Sequence, residues 1–340
     1  MKKVICAMSG GLDSSVAAAI LKKNGYNVVG VFMKFWKEPG KSKENLCCSA
    51  QALADARKVA AKLNIPLHVI SCQKEFKKKV VDYLIDEYKK GNTPNPCVEC
   101  NKHIKFKFLF KKMMELDADY IATGHYARIK NRELFSAKDK KKDQSYFLWN
   151  LKQLDKILFP VNDYDKKKVR SMAKKWDLLV YEKKESQEIC FISDSDVNRF
   201  LRKRIGIKKG DIIDVNGNKI GRHSGLAFYT IGQRKGIKIG GIGPFYVVDK
   251  DFKKNTLIVA QSDFSDALFK KEMRIKNVNW ISGASFPLKC KVKIRYLFPG
   301  VSCVVNKNKV VFDKKQKAIT PGQSAVFYKE KKVLGGGIIM

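Results

Sequence analysis

No apolar run in this 340-residue chain approaches the ~20 residues that a membrane span requires. Met1-Lys2-Lys3 passes straight into Val4-Ile5-Cys6-Ala7-Met8, too short an apolar stretch for the core of a secretory leader. A cytoplasmic chain with no membrane partner is therefore expected. Acidic residues are scarce too: 33 Asp and Glu face 69 Lys and Arg, a formal net charge of +36 spread along the whole sequence. The imbalance points to a polyanionic partner, with the plainer reading of a merely well-solvated lysine surface left open. The Walker pattern of Gly, four residues, then Gly-Lys-Ser/Thr is absent, and no Gly-x-Gly-x-x-Gly opens a helix. Neither γ-phosphate transfer nor hydride transfer is suggested. There is no long internal repeat, and the one low-complexity piece is the lysine-rich 138–143, read as a surface loop.

What is present is long enough for two or three domains. The first half alternates short apolar runs with helical patterns: strands over 4–8, 28–33, 67–71 and 121–124, helices over 14–24 and 50–63. This βαβ series implies an α/β fold with a doubly wound parallel sheet, whose strand-end loops Ser9-Gly10-Gly11 and Thr123-Gly124-His125 share one edge. Beyond about residue 205 helices largely stop, and Asn216-Gly217-Asn218 after Gly210-Asp211-Ile212-Ile213-Asp214 signals a hairpin. The last block, with short strands such as Cys290 through Tyr296, favours a small barrel. The expected division is a nucleotide-binding domain over 1–200, a central β-rich domain over 201–268 and a C-terminal β-barrel over 269–340.

Ser9-Gly10-Gly11-Leu12-Asp13-Ser14 lies between a buried strand and an amphipathic helix, so backbone N–H groups and a helix N-terminus converge on one point. That geometry cradles phosphate. The two glycines permit positive φ and close approach, Ser9 and Ser14 can donate to phosphate oxygens, and Asp13 can orient Mg²⁺. An ordinary strand-to-helix turn with a serine cap is the plainer alternative. The word Ser-Gly-Gly-x-Asp-Ser resembles the pyrophosphate loop (PP-loop) of the ATP pyrophosphatases, which split ATP between the α and β phosphates. The likeness implies an ATP site built from Ala7, Met8, Ser9, Gly10, Gly11, Leu12, Asp13 and Ser14, with Met33 beside the adenine and Gly124 closing the other side.

Nine cysteines in a chain expected in a reducing compartment point to catalysis or metal. Thr93-Pro94-Asn95-Pro96-Cys97-Val98-Glu99-Cys100-Asn101 is a proline-bounded loop entering a basic helix, where the positive end of the dipole favours thiolate. Cys190, within Glu185-Ser186-Gln187-Glu188-Ile189-Cys190-Phe191-Ile192, would by itself read as a buried core thiol.

These words, together with Ala122-Thr123-Gly124-His125-Tyr126, Asp143 through Leu148, Gly221 through Gly225, Tyr229 through Gly236 and Thr320-Pro321-Gly322-Gln323-Ser324, resemble the tRNA-specific 2-thiouridylases in order along nearly the whole chain. The resemblance implies adenylation of O2 of a wobble uridine, then sulfur transfer. It makes Cys190 the persulfide carrier, loaded by a sulfur-relay protein or cysteine desulfurase, and Cys100 the nucleophile that frees the sulfur. It implies a mobile Cys190 segment, a monomer, and a tRNA surface including Asn95, Pro96, Cys97, His125, Lys142, Asp143, Gln144, Arg295, Tyr296 and Gln323. The chain departs from the family where Cys97 replaces the commoner Asp. Cys97, Cys100 and Cys190 are then also a ligand set for a [4Fe-4S] cluster with one open iron, a reading set below the persulfide route. The neighbouring Cys47 and Cys48 have no derivable role. Two rivals remain: an adenylating ligase on a small metabolite, and an RNA-binding protein without catalysis.

Overall fold

The computed structural model describes residues 1–38, 49–183, 189–192, 196–237, 239–240 and 244–340. The Cys47-Cys48 pair, residues 185–188 and part of the glycine-rich 232–243 stretch lie outside them. The chain forms two compact units. The first takes 1–81, 96–195 and 331–333, and the second 82–95, 196–330 and 334–340. A division by sequence position contains neither the 82–95 excursion nor the three-residue return.

In the first unit, β1 (Lys3–Ala7) pairs in parallel with β2 (Asn27–Lys34), and β2 with β3 (Leu67–Ser71). On its other side β1 pairs in parallel with β4 (Tyr120–Ala122), and β4 with β7 (Ile157–Leu158). The order β3-β2-β1-β4-β7 puts the reversal of direction at β1. Val4, Ile5 and Cys6 have no solvent exposure, as a strand covered on both faces requires. Helix α1 (Leu12–Lys23) buries Ala17, Ala18 and Ala19, small side chains that bring it close to its neighbours, and packs on the helix Lys166–Lys175. Helix α2 (Ala50–Lys62) is capped by Ser49, whose Oγ accepts from the Ala52 N–H at 2.9 Å. The hairpin β5 (Ala127–Lys130) and β6 (Glu133–Ser136) is extended by residues 331–333, where Lys332 pairs with Phe135 and Val333 with Leu134.

The second unit holds two β structures. Strands β8 (Gly210–Asp214), β9 (Lys219–His223), β10 (Tyr246–Asp251) and β11 (Thr256–Ala260) form a sheet in the order β10-β11-β8-β9. The expected hairpin joins β8 to β9, with Asp214 accepting from the N–H groups of Asn216 and Asn218 at 2.9 and 2.8 Å and Gly217 at φ +92°. Strands β12 (Phe269–Trp280), β13 (Leu288–Lys293), β14 (Val301–Asn306), β15 (Lys309–Lys317), β16 (Ser324–Lys329) and β17 (Lys332–Ile339) run in the order β12-β15-β14-β13-β16-β17, and β12–β17 pairing closes the barrel. The strand expected through Tyr296 stops at Lys293, because Leu297 turns the chain with φ +61° ahead of Pro299.

Among the described residues, no helix is long and apolar enough to cross a membrane. Phe327 is fully buried in the barrel and stacks on Trp280 with ring centroids 5.2 Å apart. Phe327→Ala is expected to destabilise the second unit by about 3–5 kcal/mol, read as a shift of the denaturation midpoint.

Candidate active site

The strand β1 ends at Ala7, and Met8 prolongs its pairing through an N–H to Val31 O bond of 2.9 Å. The chain then turns sharply. Gly10 adopts φ +67°, and a Cβ on it would lie 2.0 Å from the Ala52 carbonyl oxygen of α2. Gly11 caps α1, its carbonyl accepting from the Ser14 and Ser15 hydroxyls at 3.1 and 2.8 Å. Ser14 Oγ also accepts from the Ser9 N–H at 3.2 Å and lies 3.1 Å from Ser9 Oγ. The first-turn N–H groups of Leu12, Asp13 and Ser14 have no intrahelical acceptor, so donors and the positive dipole end face one spot.

The loop after β4 meets this turn. A Cβ on Gly124 would fall 2.7 Å from both Asp13 C and Ser14 N, so backbone lies on backbone. Met33, 8% exposed, stands near the corresponding end of β2. The turn after β1 and the loop after β4 thus bracket the crevice at the sheet's switch point, where such folds take ligands. At both glycines backbone packs directly on backbone, with no space for a side chain.

Asp13 does not stand open. Lys166 Nζ meets both its oxygens, at 2.6 and 2.7 Å, and Tyr126 donates its hydroxyl at 2.8 Å. Lys183 Nζ donates to Gly10 O at 2.9 Å and to Oδ2 of Asp55, a residue of α2, at 2.6 Å. Sequence reasoning missed both lysines, because among so many basic residues neither stands in a motif that singles it out.

Cys97 and Cys100 lie on the helix Pro96–Cys100, which continues through a π-turn, Asn101–Lys105, into the helix Phe106–Glu115. Cys97 occupies the first turn and is exposed; Cys100 is buried at 5% exposure. Asn101 is buried, its amide donates to Phe147 O at 3.1 Å, and its Oδ1 has no protein donor. Cys190 is half-buried, and the adjoining Phe191 sits edge-on to Phe76 and Trp36 at 5.5 and 6.4 Å. All three sulfurs belong to the first unit. Among the described residues, no three Cys, His, Asp or Glu side chains are gathered as a metal site. The cluster reading of Cys97, Cys100 and Cys190 does not fit this arrangement, and no chemistry is derived through one.

The residues expected against RNA separate into groups. In the second unit, Asn95 and Gln323 hydrogen-bond to each other at 3.1 Å, Ser324 N–H donates to Asn95 Oδ1 at 2.7 Å, and Gln323 Nε2 donates to Thr93 O at 2.7 Å. Two sequence words more than 200 residues apart thus form one patch. Arg295 lies over the Phe298 ring at 4.9 Å, and Tyr296 is half-buried beside it in the turn after β13. In the first unit, Pro96 is buried and Lys142 is half-exposed. Asp143, by contrast, is 5% exposed and accepts from the N–H groups of Ala137 and Ser145 and from Ser145 Oγ at 3.0–3.2 Å. Its carboxylate organises the loop from within. Gln144 is likewise engaged, exchanging hydrogen bonds of 2.9 and 2.8 Å with the Tyr126 backbone.

His125 stacks on Phe106 at 5.8 Å, stands edge-on to Phe159 at 6.0 Å, and shares a 2.7 Å hydrogen bond with Thr123 Oγ1. Desolvation by these rings, then the Lys105 charge, hold its pKa well below the usual histidine value. The depressed pKa means that the folded state resists a proton which the unfolded chain accepts. His125 therefore contributes stability that is full above about pH 6.5 and is lost as pH falls below it. Thermal denaturation from pH 7.5 to pH 5 should show a smaller acid-side loss for His125→Gln than for the unaltered protein.

Sequence profiles described as "tRNA methyl transferase HUP domain", "tRNA methyl transferase PRC-barrel domain" and "Aminomethyltransferase beta-barrel domain" match residues 2–194, 198–261 and 270–339. The tRNA-specific 2-thiouridylase MnmA of Buchnera aphidicola subsp. Acyrthosiphon pisum is 49% identical, covering 99% of this chain and 96% of its own. The protein of the same name from Clostridioides difficile is 45% identical, covering 99% and 98%. Among solved structures, a 4-thiouridine synthetase in complex with RNA and bound ATP aligns with 56% of this chain and 45% of its own, at 20% identity and TM-score 0.37.

Proposed function

The chain belongs to the tRNA-specific 2-thiouridylase family, and we propose that its first unit uses ATP to replace O2 of a tRNA wobble uridine with sulfur, releasing AMP and pyrophosphate. One observation carries this reading: the glycine turn and its open helix N-terminus sit at the switch point of the same unit that holds Cys97, Cys100 and Cys190.

Adenylation comes first. Uracil O2 attacks the α-phosphorus, an O–P bond forms, and the bond to the β-phosphate breaks. The N–H groups of the 9–14 turn stabilise the charge that develops on the departing pyrophosphate. Mg²⁺, when bound, offsets phosphate charge; Asp13, already engaged by Lys166 and Tyr126, suits a role through water better than direct ligation.

Sulfur follows. The terminal sulfur of a Cys190 persulfide attacks C2, and AMP leaves with the former O2. The Cys100 thiolate then attacks Cys190 Sγ, which frees the thiocarbonyl and leaves a Cys100–Cys190 disulfide for an external thiol to reduce. The sulfur comes from a relay protein or a cysteine desulfurase. Cys97 stands where relatives carry a carboxylate, on the exposed first turn leading to Cys100, and takes that carboxylate's place beside the nucleophile. Asn95, Gln323, Arg295 and Tyr296 hold the tRNA, and the wide positive surface draws in its backbone without choosing sequence. The enzyme works as a cytoplasmic monomer.

The test uses the full chain with tRNA. Cys100→Ser and Cys190→Ser are each expected to lower 2-thiouridine formation at least ~100-fold while tRNA-dependent exchange of pyrophosphate into ATP continues. Thiolation that persists in either variant sinks the two-thiol route, and failure of the unaltered protein to form AMP with tRNA sinks the whole reading. Iron and acid-labile sulfide measured after anaerobic purification should be substoichiometric; stoichiometric iron that vanishes in Cys97→Ala would restore the cluster.

A further inference from the structure

The phosphate turn contains two consecutive glycines, and this creates a mechanical problem. A peptide between residues without Cβ atoms rotates at little steric cost, so the Gly10–Gly11 unit has no intrinsic preference for the face that its N–H presents. Something outside the turn must fix it.

Two contacts bear on that peptide, both from the α2 side. Gly10 rests on the first turn of α2, close enough to Ala52 O to exclude any side chain. Lys183 Nζ, half-buried, donates to the Gly10 carbonyl at 2.9 Å. Its ammonium is anchored by Asp55 Oδ2 at 2.6 Å, and Asp55 Oδ1 accepts from Gln51 Nε2 at 2.8 Å. Burial alone would raise the Asp55 pKa, yet the Lys183 ammonium and the Gln51 amide outweigh it and hold the carboxyl below its usual value.

In a planar trans peptide the C=O and N–H bonds point in opposite directions. An ammonium that pulls the Gly10 oxygen toward α2 therefore aims the Gly11 N–H away from it. We propose that Lys183, braced by Asp55, is a positioning residue that locks the Gly10–Gly11 peptide so that its N–H faces the pyrophosphate portion of the nucleotide. The inference rests on the reading that this turn takes ATP and adds the residue that sets the turn's orientation. Because the ammonium is paired with Asp55, its contribution comes from direction more than from net charge.

The experiment measures binding by isothermal titration calorimetry on the full chain, with ATP, inorganic pyrophosphate and adenosine as separate probes. Lys183→Met keeps the stem and removes the donor; it should weaken ATP and pyrophosphate about tenfold, leave adenosine unchanged and leave the denaturation midpoint in place. Lys183→Arg should recover part of the loss. Asp55→Asn, which removes the brace, should shift pyrophosphate in the same direction by a smaller factor, and it carries the test if Lys183→Met does not fold. Unchanged pyrophosphate affinity in Lys183→Met overturns the lock, as does an equal loss for all three probes, which marks general collapse of the site. Absence of ATP binding by the unaltered protein would instead remove the underlying functional reading, so the two failures are distinguishable.

Discussion

Backbone packed directly on backbone, at a crossing with no room for a Cβ, is the constraint on which the site depends. It occurs twice around one turn: Gly10 against Ala52 of α2, and Gly124 against Asp13 and Ser14 of α1. These contacts draw three successive pieces of a βαβ scaffold onto one point. They hold the first-turn donors of α1 at the place where these loops meet. Met8, Leu12 and Phe32, all nearly without exposure, keep the surrounding layers from relaxing away.

The scarcity of acid has a local counterpart. Two of the few carboxylates, Asp13 and Asp55, are spent holding lysines beside the phosphate turn. Each pairing places a cation at fixed geometry near the site while cancelling part of its charge. The excess of 69 Lys and Arg over 33 Asp and Glu gives the chain a field that polyanions sense over about a Debye length, roughly 8 Å at physiological ionic strength. Binding near the site is thus governed by direction, and approach to it by net charge.

The parallel sheet, its strand positions and the phosphate turn were legible because buried strands and glycine punctuation leave local marks. The barrel was legible as a class, from evenly spaced short strands, but its β12–β17 closure was not, since register is decided by partners far away in sequence. Lys166 and Lys183 escaped notice for a related reason. Their importance comes from what they touch, Asp13 and Gly10, at separations of 153 and 173 residues. The burial of Asp143 was hidden as well, because a carboxylate in an exposed-looking polar loop gives no local sign that three donors will fold around it. The joining of Asn95 with Gln323 shows the opposite case, in which two separately recognised words turn out to be halves of one surface.

Residues 331–333 carry a consequence for biosynthesis. They complete the edge of β6 within the first unit, yet the ribosome delivers them more than 190 residues after Ser136. Until then the β5–β6 hairpin emerges with an unpaired flank, a bare template for strands from other nascent chains. The first unit therefore gains this last strand of its edge long after the rest of it has been synthesised.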